Sequence, residues 1–211
     1  MKCRKYHGCS AEVRKAVCSR YSAGCNQSYW KGEERNPFVA IFERPTNLEI
    51  NTQRPVCCDT GERLVRILRM IRASKQFCDL YGVDSRKLFR SRIMIVNAIE
   101  HASEENIDEN RVRHFVDLLC GKHVVLCFGE KADNLIHMAM MAHSEFSRQV
   151  KNGDVCIVSV YHPSGKNDTK VGCLVTKIAE YLINALVANK RNIHSFKEFS
   201  YWLRSNKRSK K

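Results

Sequence analysis

Apolar residues along the chain form short continuous runs that alternate with stretches of helical periodicity. Four runs are rich in β-branched or aromatic residues: Phe38–Phe42, Ile93–Val96, Val124–Phe128 and Val155–Tyr161. A nearly continuous apolar run of this length is typical of a parallel strand that is covered on both faces. The pattern therefore predicts four buried strands.

Between and after these runs, apolar residues recur at intervals of three and four, which is the period of an amphipathic helix. The series are Leu64, Ile67, Leu68 and Ile71; Val112, Phe115, Val116 and Leu119; Leu135, Ile136 and Ala139; and Val171, Leu174, Val175, Ile178, Leu182 and Leu186. Capping-box spacing at Asp59 with Glu62, and at Ser195 with Glu198, predicts two helix starts. Alternating strands and helices predict an α/β fold, a three-layer α/β/α sandwich with a central, mainly parallel four-stranded sheet.

Composition divides the chain into three segments. Residues 1–35 are polar, basic and without periodic pattern, which predicts a cysteine-containing N-terminal extension. Residues 36–205 carry the strand and helix patterns and are expected to form the globular domain. Residues 206–211 are predicted to be a basic tail.

The charge balance points to a nucleic-acid partner. Lys and Arg number 36 against 22 Asp and Glu, so the formal net charge is +14. Such an excess is either a solvated surface that aids solubility or a surface that attracts phosphate, and we favour the second. No secretory signal and no apolar run of the ~20 residues that span a bilayer is found, so no membrane partner is expected. With 11 cysteines in such a chain, reduced thiols and an intracellular, cytoplasmic or nucleoid-associated location are predicted.

Four cysteines crowd the N-terminal extension, together with one histidine. They are Cys3, Cys9, Cys18 and Cys25, with His7 among them. None has the Cys-x-x-Cys spacing of a strong metal motif, so a basic segment that helps to hold DNA is favoured over a metal site. No metal and no organic cofactor is expected.

Candidate chemistry is concentrated after the predicted strands. In parallel sheets, ligands bind outside the carboxyl ends of the strands. Polar residues follow each strand here: Glu43, Arg44 and Thr46; Asn97; Gly129, Glu130 and Lys131; and His162, Ser164, Lys166 and Asn167. A carboxylate, an amide and an imidazole are therefore expected to meet at one sheet edge.

These segments resemble the uracil-DNA glycosylase superfamily over about residues 36–190. Residues 42–46 (Phe-Glu-Arg-Pro-Thr) are similar to the family's first motif, and residues 54–61 to a later Arg-Pro stretch that ends in Gly. Asn97 ends the second strand, as the family's base-reading Asn does. Residues 128–132 fit a Gly-x-x-Ala turn, and residues 162–164 match the family's His-Pro-Ser motif in full.

The resemblance implies a monofunctional DNA glycosylase, which flips out a nucleotide and hydrolyses its N-glycosidic bond to leave an abasic site. His162 would stabilise the departing base, and Glu43 would orient water or support the sugar cation. Asn97, Val56 and Thr46 would bind the base. Contacts to DNA would come from the basic and turn residues, which are Arg44, Ser164, Lys166 and Asn167.

Three departures from the family pattern affect this interpretation. Arg44 stands where a water-activating Asp or Asn is common, and an arginine cannot act as a base. Val56 replaces an aromatic residue that stacks on uracil, and Thr46 replaces a Tyr that blocks bulky C5 groups. Smaller residues at two positions favour a larger base, such as a modified pyrimidine of phage DNA, and hence defence rather than repair.

Two other functions remain open. The first is a catalytically inactive DNA-binding protein that retains the glycosylase fold, which Arg44 favours and the complete His162 motif opposes. The second is a nucleotide-binding α/β protein, which the high positive charge opposes. Single residues also have structural interpretations: His162 as a structural histidine that pairs locally, Asn97 as an ordinary turn residue, and Glu43 as a turn cap or a partner of Arg44. The protein is expected to be a monomer.

Overall fold

The computed structural model describes residues 29–30, 32–33, 36–80, 89–99, 106–119, 121–165, 167, 173–188 and 193–208, apart from five side chains (Cys58, Leu80, Ala188, Lys207 and Arg208). The N-terminal cysteines, His7 and the predicted DNA contact Lys166 lie outside these residues. The predictions that concern them stay predictions.

Six strands and eight helices are present in the described part of the chain. The strands are β1 (Tyr29–Trp30), β2 (Phe38–Phe42), β3 (Met94–Asn97), β4 (Val124–Phe128), β5 (Cys156–Val160) and β6 (Ile193–His194). The helices are α1 (Asn47–Thr52), α2 (Cys58–Ala73), α3 (Lys75–Leu80), α4 (Glu109–Leu118), α5 (Glu130–Ala142), α6 (Ser144–Asn152), α7 (Leu174–Ala188) and α8 (Phe196–Arg208). Among the described helices, none combines the length and apolar character that a membrane crossing requires.

All six strands belong to one mixed sheet, in the order β1-β3-β2-β4-β5-β6. Only β1 is antiparallel among the described pairings, so the mainly parallel α/β sheet is confirmed. The predicted number of four strands was wrong. Each outer strand has only two residues, which is too short to give the apolar run by which buried strands were found.

The four central strands bury both faces because successive side chains point to opposite sides of a sheet. Phe38, Ala40 and Phe42 of β2 belong to one hydrophobic cluster, which α2, α3, α7 and α8 complete. Val39 and Ile41 belong to a second cluster, which α4, α5 and α6 complete. This two-sided burial explains why the strands have continuous apolar runs rather than alternating ones.

Helix α2 shows why most predicted helices are found and where the capping rule fails. Leu64, Ile67, Leu68 and Ile71 form its buried face, each at most 1% exposed. The helix nevertheless begins one residue before Asp59, after Cys57, whose side chain makes no capping bond. Asp59 therefore lies in the first turn, and its predicted role as the N-cap was wrong.

The crossover direction reverses in the middle of the sheet. The chain passes from β2 to β3 on one side, and β4 then pairs with the opposite edge of β2. The carboxyl ends of β2 and β4 thus form a topological switch point, where open α/β sheets have a crevice.

Candidate active site

A cavity of about 370 Å³ lies at this switch point. Its walls come from the segments that follow β2, β4 and β5 and from the start of α8. The described residues that line it are Glu43, Gly129, Glu130, Tyr161, His162, Asn167 and Phe196. The volume is in the range of small-molecule sites, which are a few hundred Å³.

Glu43 is held in place by backbone groups of neighbouring elements. Its Oε1 atom accepts a hydrogen bond from the N–H of Glu130 at 3.0 Å, and its carbonyl oxygen accepts one from the N–H of Ile99 at 3.0 Å. Free N–H groups at a helix N-terminus favour such a carboxylate. The end of β2 is thereby joined to the first residue of α5.

Gly129 is required by this arrangement. Its φ is +103°, and a Cβ at this position would lie 2.5 Å from the Glu43 carboxyl carbon. A larger residue would meet both a strained backbone and a steric clash. Glycine after β4 thus permits the close approach of Glu43.

His162 follows β5 and packs against Phe42, with ring centroids 5.7 Å apart in an edge-on arrangement. Burial lowers the pKa of His162, and the charge of Glu43 acts in the opposite direction by raising it. Burial is the larger effect, so the neutral imidazole is favoured near pH 7. A neutral imidazole still carries one N–H donor.

The loop after His162 is stabilised by its own side chains. The carbonyl oxygen of His162 accepts the N–H of Ser164 at 2.8 Å and the Nδ2 of Asn167 at 2.9 Å. The Oγ of Ser164 in turn accepts the N–H of Asn167 at 3.3 Å. Ser164 and Asn167, predicted as DNA contacts, therefore orient the loop that carries His162.

Asn97 is not among the described residues that line the cavity. Its side chain is 0% exposed, and its carbonyl oxygen accepts a hydrogen bond from the Arg111 guanidinium. Phe42 is its register neighbour and stacks on Phe128 with centroids 4.7 Å apart. This aromatic pair occupies the strand ends between Asn97 and β5.

Thr46 and Val56, the other predicted base contacts, belong to a turn beside α1 rather than to the cavity wall. Thr46 caps α1, since its Oγ1 accepts the N–H of Glu49 at 3.4 Å. Glu49 accepts the N–H of Thr46 at 2.5 Å and also the N–H of Val56. Val56 is buried and has a φ of +51°, which is strained for a β-branched residue. Arg44 is exposed.

Sequence reasoning missed the aromatic wall of the cavity. Tyr161 and Phe196 have ring centroids 4.8 Å apart. Tyr161 also pairs its hydroxyl with the Oγ of Ser200 at 2.9 Å. The capping box of Ser195 and Glu198 is confirmed. Because Phe196 directly follows Ser195, this capping box was the sequence feature that could have placed an aromatic residue at the start of α8.

The described residues contain no group of three or more His, Cys, Asp or Glu side chains placed to hold a metal ion. Comparison of the sequence with protein-family models and with curated proteins finds no match. Function must therefore be inferred from the residues and their geometry.

Proposed function

We propose that the chain is a three-layer α/β/α sandwich of the uracil-DNA glycosylase type and acts as a monofunctional DNA glycosylase. One observation carries the proposal: Glu43 and His162 line the same cavity at the switch point of the sheet. A carboxylate can orient water or support the sugar cation, and a neutral imidazole can donate to the departing base, so the pair is suited to hydrolysis of an N-glycosidic bond.

In this mechanism the C1′–N bond breaks as negative charge develops on the base and positive charge on the sugar. The N–H of neutral His162 donates to an oxygen of the departing base and stabilises its charge. Glu43 faces the sugar cation and orients the water that adds to C1′. The base leaves with a proton, and the sugar gains a hydroxyl group.

The aromatic rings of Tyr161 and Phe196 are suited to the flipped base. Stacking on an aromatic side chain contributes roughly 1–3 kcal/mol per base and tolerates many base types. This aromatic wall would take the place of the stacking residue that is replaced by Val56. It supports a larger modified pyrimidine as the substrate. Asn97, Thr46 and Val56 do not line this cavity. The base contacts predicted for them would require movement of Phe42 and of the turn beside α1.

A panel of DNAs tests the proposal. Each DNA carries uracil, a deaminated purine or a bulky modified cytosine, and alkali cleaves any abasic site. We expect cleavage of at least one DNA, and a loss of about 100-fold or more in His162→Ala. His137→Ala is the matched control, because His137 is an exposed histidine on α5 and does not line the cavity. Equal loss in both variants would contradict the proposed role of His162.

The second candidate is a catalytically inactive DNA-binding protein. The complete burial of Asn97 favours it, because a base has no access to that side chain in this conformation. It is supported if no DNA is cleaved while binding persists and weakens steeply with added salt, as phosphate contacts require.

A further inference from the structure

The outer face of α8 carries cations and an aromatic side chain in helical register. Lys197, Tyr201 and Arg204 are spaced i, i+4 and i+7, so they lie on one face of the helix. All three are exposed, and Tyr201 is 70% exposed. The opposite face is buried through Phe199 and Leu203. We refer to Lys197, Tyr201 and Arg204 as the α8 stripe.

The α8 stripe has no acidic neighbour that neutralises it within the described part of the chain. Glu198 is the only carboxylate in the helix, and its Oε2 atom accepts the N–H of Ser195 at 2.9 Å in the capping box. Neither Lys197 nor Arg204 forms an ion pair with a described carboxylate. The two cations therefore remain available to an anionic partner.

Aromatic packing on the buried side of α8 holds the helix that carries the α8 stripe in place. The ring of Phe199 packs on Tyr181 with centroids 4.9 Å apart and on Tyr161 with centroids 5.3 Å apart. Trp202 packs on Tyr181 at 5.4 Å. Because these contacts fix the buried side of α8, the orientation of its outer face is fixed as well.

The first residue of the α8 stripe directly follows a residue that lines the cavity. Phe196, the first residue of α8, lines the cavity, and Lys197 follows it directly. Lys197 and Arg204 lie about 10 Å apart along the helix axis at the usual rise per residue. Lys197, Tyr201 and Arg204 therefore lie on the helix whose first residue forms part of the cavity wall.

We propose that the α8 stripe binds a single-stranded segment of nucleic acid next to the cavity, with Tyr201 stacking on a base and Lys197 and Arg204 contacting phosphates. This inference names the partner of the proposed glycosylase site and rests on that function for the choice of nucleic acid. Aromatic side chains between cations are the general means of binding single strands without sequence preference.

Fluorescence anisotropy of a labelled oligothymidylate with the full chain tests the proposal. We expect Tyr201→Ala to weaken binding about fivefold and Tyr201→Phe to stay within about twofold of the parent, because phenylalanine keeps the stacking ring. Lys197→Gln and Arg204→Gln should each reduce the slope of log affinity against log salt by about 0.7, the value for one phosphate contact on a single strand. Tyr201→Ala should leave that slope unchanged.

Arg113→Gln is the matched charge control, because Arg113 is exposed on α4, which packs on the other face of the sheet. It should change neither the affinity nor the slope. Equal binding by the parent and Tyr201→Ala, or equal slopes in Arg113→Gln and Arg204→Gln, would overturn the proposal. So would Tyr201-dependent binding to vesicles of phosphatidylcholine and phosphatidylserine without binding to the oligonucleotide.

The two proposals fail separately. Tyr201-dependent binding without cleavage of any DNA in the panel supports the α8 stripe and removes the catalytic function. If His162→Ala abolishes cleavage while Tyr201→Ala leaves oligonucleotide binding unchanged, the result supports the enzyme and contradicts the proposal for the α8 stripe.

Discussion

The Glu43 carboxylate accepts a hydrogen bond from the backbone N–H of Glu130 at 3.0 Å, and these residues are far apart in the sequence. This bond joins the loop after β2 to the helix after β4, on the two sides of the switch point. It places the carboxylate at the cavity. The position of Glu43 therefore depends on the backbone at residues 129–130.

Gly129→Ala should displace Glu43. The added Cβ would lie 2.5 Å from the Glu43 carboxyl carbon at a φ of +103°. We expect a loss of about 3 kcal/mol in the free energy of unfolding, from the strained backbone and the clash together. Urea unfolding measures this loss.

Gly121→Ala is a comparison at a second glycine with positive φ and no crowded neighbour among the described residues. Gly121 has a φ of +73°, but no atom lies within 4 Å of the position its Cβ would take. This variant should lose only about 1 kcal/mol. If Gly129→Ala loses the same free energy in a Glu43→Ala background, the contact with Glu43 contributes nothing.

Glu43→Gln should lower the pKa of His162. The charge of Glu43 raises that pKa against the larger effect of burial, so its removal leaves burial unopposed. The NMR titration of the His162 ring protons checks the direction of the change. Glu130→Gln, next to Glu43 in the same cavity wall, tests whether the effect is specific to Glu43. An unchanged or raised pKa in Glu43→Gln would contradict the assigned interaction.

The lowered pKa of His162 also predicts how stability depends on pH. The unfolded chain binds a proton at the ordinary histidine pKa, about 6.5, whereas the folded chain binds it only at lower pH. The contribution of His162 is therefore fully present above about pH 6.5 and is lost as the pH falls towards its folded pKa. Urea unfolding near pH 7.5 and near pH 5.5 should show a smaller loss on acidification in His162→Gln than in the parent.

Glu49→Gln should destabilise the turn that precedes α2. The buried carboxylate accepts the N–H groups of both Thr46 and Val56, and an amide has only one accepting oxygen. We expect a loss of about 2–3 kcal/mol in the free energy of unfolding, typical of a buried bond to a charged group. Glu180→Gln, at an exposed site on α7, should show no measurable change.

Gln53→Gly should stabilise the protein. Gln53 ends α1 with a φ of 50° and a ψ of 42°, which is the left-handed conformation that glycine adopts without strain. We expect a gain of about 0.5–1 kcal/mol, or roughly 1–4 °C in Tm for a domain of this size. Gln76→Gly, in helix α3, should instead lose about 1 kcal/mol. A lower Tm in Gln53→Gly would contradict the prediction.

The central strands could be predicted because their burial on both faces leaves long apolar runs in the sequence. β2 and β4 have the predicted bounds, and β3 and β5 differ by one residue at each end. The strand β1 could not be predicted, because two residues give no periodicity. Its position in the sheet comes from pairing with β3, which is a contact between distant parts of the chain.

The site could be predicted only in part for a similar reason. Strand ends in a parallel sheet meet at one edge, so the meeting of Glu43 and His162 follows from the order of strands. The complete burial of Asn97 is a property of the packed sheet, and no local sequence pattern reports it. Phe196 reaches the cavity through the packing of α8, which is equally invisible in the local sequence.

Within the described part of the chain, the sheet ends on both sides in a strand of two residues, β1 and β6. An outer strand offers its unpaired backbone groups as a template for other strands, and a very short one offers few. The long apolar strands β3 and β5 are covered by these short ones. Assembly of copies of the chain through their sheet edges, a common route to aggregation, is therefore disfavoured by the architecture itself.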